Sequence, residues 1–329
     1  MQLLCRSKVS TILVMLGLCL AASVDAAQTG LVFVSNERSN TITILNSADE
    51  VVGSFKTCGR PRGLRLTPDR KQLIVGCGSD DTVALYDVAT QKLTRRFRNI
   101  ADPETFDLHP NGHDLYVSNE DDSEATVLNL QTGAVTARFP TGAEPEGVLI
   151  TPDGRYAFVA SEAASLVHVI EVEAQKIIKN ILVGTRPRRF ALSPDGHELW
   201  VSAELSGTVD IIDIGVLKVV GTVSFLPRGM RRENVTPVDL VMTRDGQRAY
   251  VALGRANHVG VVDVPRRKVI DYILVGRRPW GLRLTKDERK LYVANGLSDD
   301  LSIIDTTTGR VLKSVPVGMV PYAIAVDDD

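Results

Sequence analysis

The chain has 329 residues, with 38 Lys and Arg against 40 Asp and Glu, a formal net charge of −2 and 44% hydrophobic residues. Near-balanced charge excludes a general nucleic-acid or anionic-membrane binder while leaving room for local charged patches. A domain this long buries roughly 75% of its unfolded surface, so a sizeable core is available.

Residues 1–26 do not belong to the fold. Arg6 and Lys8 precede an apolar run over 9–24 that ends in Val24-Asp25-Ala26, the pattern of a secretory signal cleaved after Ala26. The run is short and interrupted by small and polar residues, which argues against a retained membrane anchor. Leu18 stands before Cys19, where a lipoprotein signal would want a small residue. The mature chain, 27–329, is therefore expected to be exported to the periplasm without stable membrane insertion. Cys5 and Cys19 leave with the signal, so Cys58 and Cys77 remain. Export permits a disulfide between them, and two buried thiols are the alternative.

From Ala27 onward one unit recurs. Its copy at 142–161, Gly-Ala-Glu-Pro-Glu-Gly-Val-Leu-Ile-Thr-Pro-Asp-Gly-Arg-Tyr-Ala-Phe-Val-Ala-Ser, reads as two short strands joined by the turn Thr151-Pro-Asp-Gly154. Neither strand alternates cleanly with polar residues, so both faces are expected to be covered. The repeat proline marks seven copies: Pro61, Pro103, Pro145, Pro187, Pro237, Pro279 and Pro321. Neighbouring prolines are 42 residues apart except Pro187 and Pro237, which are 50 apart. A period of about 40–45 residues holding four short strands predicts a propeller blade, and seven copies predict seven blades in one all-β domain.

The first mature strand, 31–35, matches the second strand of the other copies (73–77, 115–119, 156–160, 199–203, 249–253 and 291–295), and the missing first strand appears at 321–326. The two ends are thus predicted to share one sheet, blade 1, which closes the ring and removes exposed edges. Third strands follow at 41–45, 82–88, 125–130, 166–172, 208–214, 258–264 and 301–306, with fourth strands after polar turns, as at 51–56 and 177–183. No helix-period segment is expected. The extra eight residues fall in the connection 224–236, between blades 5 and 6.

The Gly-x-x-Pro opening, the Pro-Asp-Gly turn and endings such as Leu291-Tyr-Val-Ala294 resemble the YVTN family of β-propellers. More narrowly, the chain is similar to the PQQ-dependent catabolism-associated β-propeller proteins. Local matches include Asp102-Pro-Glu104, Glu144-Pro-Glu-Gly147, Arg186-Pro-Arg188, Glu198-Leu-Trp-Val-Ser202, Thr236-Pro-Val238, Val251-Ala-Leu-Gly254, Asp271-Tyr-Ile-Leu-Val-Gly276 and Asn295-Gly296. The resemblance implies an exported protein used alongside pyrroloquinoline-quinone (PQQ) alcohol oxidation. The chain lacks the Trp-bearing repeat of the quinoprotein dehydrogenases, having only Trp200 and Trp280, so it reads as an accessory to them.

No nucleophile elbow, His-Glu-x-x-His, Cys-x-x-Cys-His or phosphate-binding glycine loop is present, and no residue is assigned a catalytic or metal-binding role. The five histidines, at 109, 113, 168, 197 and 258, are scattered and read as surface or packing residues. The informative positions flank the repeat prolines at the channel mouth. Asp102, Glu104, Glu144 and Glu146, joined by Glu120, Asp121, Asp122 and Glu124, form an acidic sector expected to meet a protein partner, such as a periplasmic quinoprotein dehydrogenase or cytochrome. Arg186, Arg188, Arg189 and Arg278, with Trp280 and Tyr322, form a basic sector expected to bind a small planar anion, PQQ among the fitting ones. Blade 2 carries Arg60 and Arg62 at the corresponding positions. The opposing expectation is that Arg and Glu simply pair across the rim. A lactonase-like hydrolase, drawing on Glu104, Glu144, Glu146 or Asp239, and an adhesive surface propeller are the competing functions.

Overall fold

The computed structural model describes residues 28–328. The expected signal segment lies outside the described residues, and no helix among those described is long and apolar enough to cross a membrane. Seven four-stranded antiparallel sheets form the molecule, each with its strands in chain order except blade 1, where Pro321–Val326 joins Val32–Asn36, Thr41–Leu45 and Val51–Lys56. The pairing Val32 to Val326, Phe33 to Ala325 and Val34 to Ile324 closes the ring as the half-repeats predict. Across the seam to blade 7, the Asp49 carboxylate accepts Lys290 Nζ at 2.7 Å and the Tyr292 hydroxyl at 2.6 Å.

The core lies between blades. Seven apolar clusters occupy the seven blade-to-blade interfaces; that between blades 2 and 3 joins Ile74, Val83 and Phe97 to Phe106, Leu115 and Leu128. This explains the unbroken apolar runs of the second strands: both faces of Tyr156–Ser161, for example, meet a neighbouring sheet. Each fully buried Leu or Ile contributes about 1.5–3 kcal/mol, and only a closed ring lets every blade collect that on both faces. Fourth strands are exposed by comparison, as in Val51–Lys56.

Among the described residues three short 3-10 turns, Gly78–Asp80, Arg232–Asn234 and Gly254–Ala256, break the all-strand pattern. The second belongs to the eight-residue insertion. Blade 6, which follows it, has the shortest first strand, Leu240–Met242. Cys58 and Cys77 form a disulfide with Cα atoms 5.6 Å apart. Cys77 pairs with Pro61, not with Cys58. The left-handed Arg60, at φ 53°, folds the preceding loop back so that Cys58 reaches it.

Candidate binding site in the central channel

The residue before the repeat proline is left-handed in six blades: Arg60, Asp102, Glu144, Arg186, Arg278 and Val320, with φ between 31° and 62°. A residue before proline is disfavoured in the right-handed helical region, and its carbonyl here accepts a backbone N–H from the end of the second strand. The donors are Gly78, Glu120, Glu162, Glu204, Gly296 and Glu37. Thr236 of blade 6, after the insertion, departs from this pattern. Serines tie the first strands together: Ser35 Oγ donates to the Arg62 carbonyl at 2.9 Å and Ser118 Oγ to the Glu146 carbonyl at 2.6 Å. Gly281 is required at its position because a Cβ there would lie 2.1 Å from the Tyr322 carbonyl oxygen of the adjacent strand. These devices hold the proline-flanking side chains at the axis.

Two ion networks fill the mouth. In the first, Arg60 Nη2 lies 2.5 Å from Glu104, 3.2 Å from Asp102 and 3.3 Å from Glu120, while Arg62 bonds Glu104 and lies 3.4 Å from Glu37. Asp102, Glu104 and Glu120 converge closely enough to hold a cation, but the Arg60 guanidinium occupies their focus. In the second, Arg188 bonds Glu162 and lies 2.8 Å from Glu146, Arg186 is 2.5 Å from Glu162, and Arg278 is 3.3 Å from Glu204. Arg189 joins the two across the axis. From blade 5 it reaches Glu146 of blade 4 at 2.8 Å, Thr105 of blade 3 at 3.1 Å and the Tyr322 hydroxyl of blade 1 at 2.6 Å. The Tyr322 ring also lies 5.0 Å from the Arg62 guanidinium and 5.7 Å from Trp280.

This arrangement changes the expected picture of separate acidic and basic sectors. At the axis the charges interlock, because the Arg and Glu rows of neighbouring blades are within hydrogen-bond reach and burial favours their pairing. The guanidinium forks of Arg186, Arg188, Arg189 and Arg278 are directed at carboxylates, where a planar polycarboxylate such as PQQ would need them. Trp280 and Tyr322 face the channel below. On the acidic side Glu104 and Glu146 are buried in the plug, while Asp121, Asp122 and Glu144 are exposed on the rim. The sequence reading missed Glu37 and Glu162. Both occupy the repeat position of Glu120 and Glu204, one residue past the second strand, so aligning that position would have found them.

Burial pushes the Glu104 carboxyl up, with the neighbouring Glu146 charge adding to it, and burial likewise raises Glu162. Burial acts on Glu146 in the same direction, but Arg188, Arg189 and Arg62 outweigh it and hold this carboxyl low. Burial pushes Tyr322 above the ordinary phenol range. His168 lies apart from the channel, where it accepts the Gly142 N–H at 3.0 Å and bonds Asn180 at 2.8 Å.

Beneath the plug is a chamber of about 210 Å3 bounded by the first strands of six blades and, in blade 6, by Val238 and Asp239 just before its first strand. Its polar groups are Thr105, Arg189, Asp239, Arg283 and Tyr322. The third residue after the repeat proline is apolar in every blade: Leu64, Phe106, Val148, Phe190, Leu240, Leu282 and Ile324. All but Leu240 line the chamber. The Asp239 carboxylate accepts the backbone N–H groups of Leu240 and Leu282 at 2.9 and 2.8 Å, and burial pushes its pKa up.

Family models match three parts of the chain: a seven-bladed β-propeller lactonase over 178–326, a YNCE-like β-propeller over 10–117 and the cytochrome D1 heme domain over 110–242. No curated protein matches. Among solved structures, Kuenenia stuttgartiensis hydrazine synthase is similar at 18% identity, covering 88% of this chain and 99% of that one with a TM-score of 0.76. A Bacteroides uniformis candidate 6-phosphogluconolactonase is 18% identical over 91% and 100%, with a TM-score of 0.76. A dihydro-heme d1 dehydrogenase is 15% identical over 92% and 76%, with a TM-score of 0.69. Such identities establish the propeller fold alone. The chamber walls hold no histidine, cysteine or methionine to ligate a haem iron, and their one tyrosine hydroxyl, that of Tyr322, is taken by Arg189 in the plug, so the residues present do not fit that group.

Proposed function

We propose that this chain is an exported recognition propeller that docks a protein on its mouth face, working beside a PQQ-dependent alcohol oxidation system whose dehydrogenase or cytochrome is the partner. The observation that carries the docking reading is the division of exposed charge around the compensated plug. Asp121, Asp122 and Glu144 are exposed on the blade 3 and 4 side, while on the blade 5 to 7 side the exposed Arg228, Arg231, Arg232, Arg255 and Arg277 outnumber the exposed Glu233 and Asp299. A rim divided in this way steers and orients an oppositely divided partner, and the buried network beneath it is a rigid base. The association with alcohol oxidation rests on the family resemblance of the blade motifs.

The test is kinetic binding of the mature protein to the purified quinoprotein dehydrogenase and to its cytochrome. Association is expected to slow with salt, and to fall about tenfold when Asp121, Asp122 and Glu144 become Asn, Asn and Gln, with dissociation little changed. Absence of binding to either protein, or an association rate indifferent to salt and to the triple variant, overturns the proposal. The lactonase match over 178–326 favours a second reading, hydrolysis at the channel with Asp239, the one candidate acid inside the matched stretch and in the chamber wall. Turnover of a sugar lactone, abolished by Asp239→Asn, would establish that reading instead.

A further inference from the structure

The channel is blind at the mouth, where Arg189, Tyr322 and Glu146 meet across the axis. From the opposite face a funnel of about 550 Å3 leads inward beside the hairpin turn of blade 2, walled by the first strands of blades 1, 2, 3 and 7. Leu64, Phe106, Arg283 and Ile324 line both funnel and chamber, so the two adjoin and are taken together as one recess. Nothing in the docking reading uses it.

Its chemistry is one-sided. Four arginines, Arg65, Arg70, Arg189 and Arg283, line the recess against one carboxylate, Asp239. Arg65 also bonds Asp107, and Arg70 lies 3.6 Å from Asp327. Each guanidinium carries five N–H donors in a fixed fork, so a pairing on one side is compatible with a second acceptor on the other. Arg189 is committed to the plug, and Asp239 places negative charge at the inner end, which leaves the funnel as the favourable place for an anion. Between the two lies the apolar ring. A recess with an apolar throat and a few convergent polar groups is the usual form of a small-molecule site.

We propose that this recess binds a small organic monocarboxylate from the face opposite the mouth, its aliphatic or aryl body in the apolar ring and its carboxylate on Arg283 and Arg65. The body lies below Trp280, which makes the indole a reporter of occupancy. Binding here is independent of partner docking, because plug and rim separate the two sites.

The test uses the mature protein and octanoate, followed by calorimetry and tryptophan emission, with octanamide as the neutral analogue and succinate as an anion lacking the apolar body. Octanoate is expected to bind one per chain. Arg283→Met, and replacement of octanoate by octanamide, are each expected to weaken binding about tenfold or more, as loss of a charged hydrogen bond does. Succinate is expected to bind at least as weakly as octanamide. Val148→Trp, which fills the throat, is expected to abolish binding while the protein still melts cooperatively, and Lys179→Gln on the exposed outer strand of blade 4 to leave affinity unchanged. No binding of octanoate, equal affinity for octanamide or succinate, or wild-type affinity in either Arg283→Met or folded Val148→Trp overturns the site.

Discussion

Glu104, Glu146 and Glu162 are the same residue type in one buried ion network, yet their protons are held differently. Glu146 faces three guanidiniums and is held down to about 2, whereas burial raises Glu104 and Glu162 to about 8. The signs for stability are opposite. A carboxyl raised in the folded state binds protons there that the unfolded chain releases, so its contribution is complete below the ordinary carboxylate range and is lost as pH climbs through about 8. Glu146 contributes above that range and loses its contribution as pH falls toward about 2. Glu104→Gln removes one of the two falling terms. The unfolding free energy of this variant is expected to decline less between pH 5 and 8 than that of wild type, by up to about 1.4 kcal/mol per pH unit. Urea titrations at three pH values measure it, and an unchanged slope would show that Glu104 keeps its ordinary proton affinity.

The loop and strand around Cys58 show how a local element carries charge to the axis. The disulfide ties the loop before Pro61–Leu66 to the end of Gln72–Cys77, and Arg60 and Arg62 leave from that clamp toward Glu104. Constraining a loop with its cysteines 19 residues apart stabilises a fold by about 2–4 kcal/mol, chiefly through the unfolded chain. The double variant Cys58→Ser, Cys77→Ser is expected to lose that amount in denaturant unfolding. A loss under about 0.5 kcal/mol would mean that the loop is held without the bond. Blade 6 is the contrasting element. Its insertion takes Thr236 out of the left-handed pattern, and the first strand shortens to Leu240–Met242.

At the scale of the whole molecule the ring is closed by one strand. Pro321–Val326 covers the inner edge of Val32–Asn36, supplies Ile324 and Val326 to the cluster between blades 7 and 1, and places Tyr322 in the plug. Truncation after Gly318 removes all three at once and exposes two apolar faces. The expected result is a large drop in melting temperature with loss of a single cooperative transition, checked by calorimetry against the full mature chain. Retention of one sharp transition at the wild-type temperature would mean that the propeller is held closed by other contacts.

The seven prolines, their 42-residue spacing and the half-repeats at the two ends are local facts of the chain, and they were enough to determine blade number, strand order and ring closure. Propeller blades are built by near neighbours in sequence, so a periodic pattern specifies them. The apolar ring at the third position after each proline follows the same period and went unread, although aligning the copies at that position would have shown it. The mouth was only half legible. Arg60, Glu104, Glu146 and Arg188 could be placed at the axis by their repeat position, and Glu162 by aligning the residue after each second strand. What tertiary structure alone decided was which charge meets which. Arg189 finds Tyr322 133 residues away on the other side of the channel. Side-chain reach across an axis depends on the diameter of the closed ring and on the rotamers of facing blades, and neither is written in the spacing of one repeat. The same closure turned two separate charged sectors into an interlocked plug and left the recess beneath it open to one face.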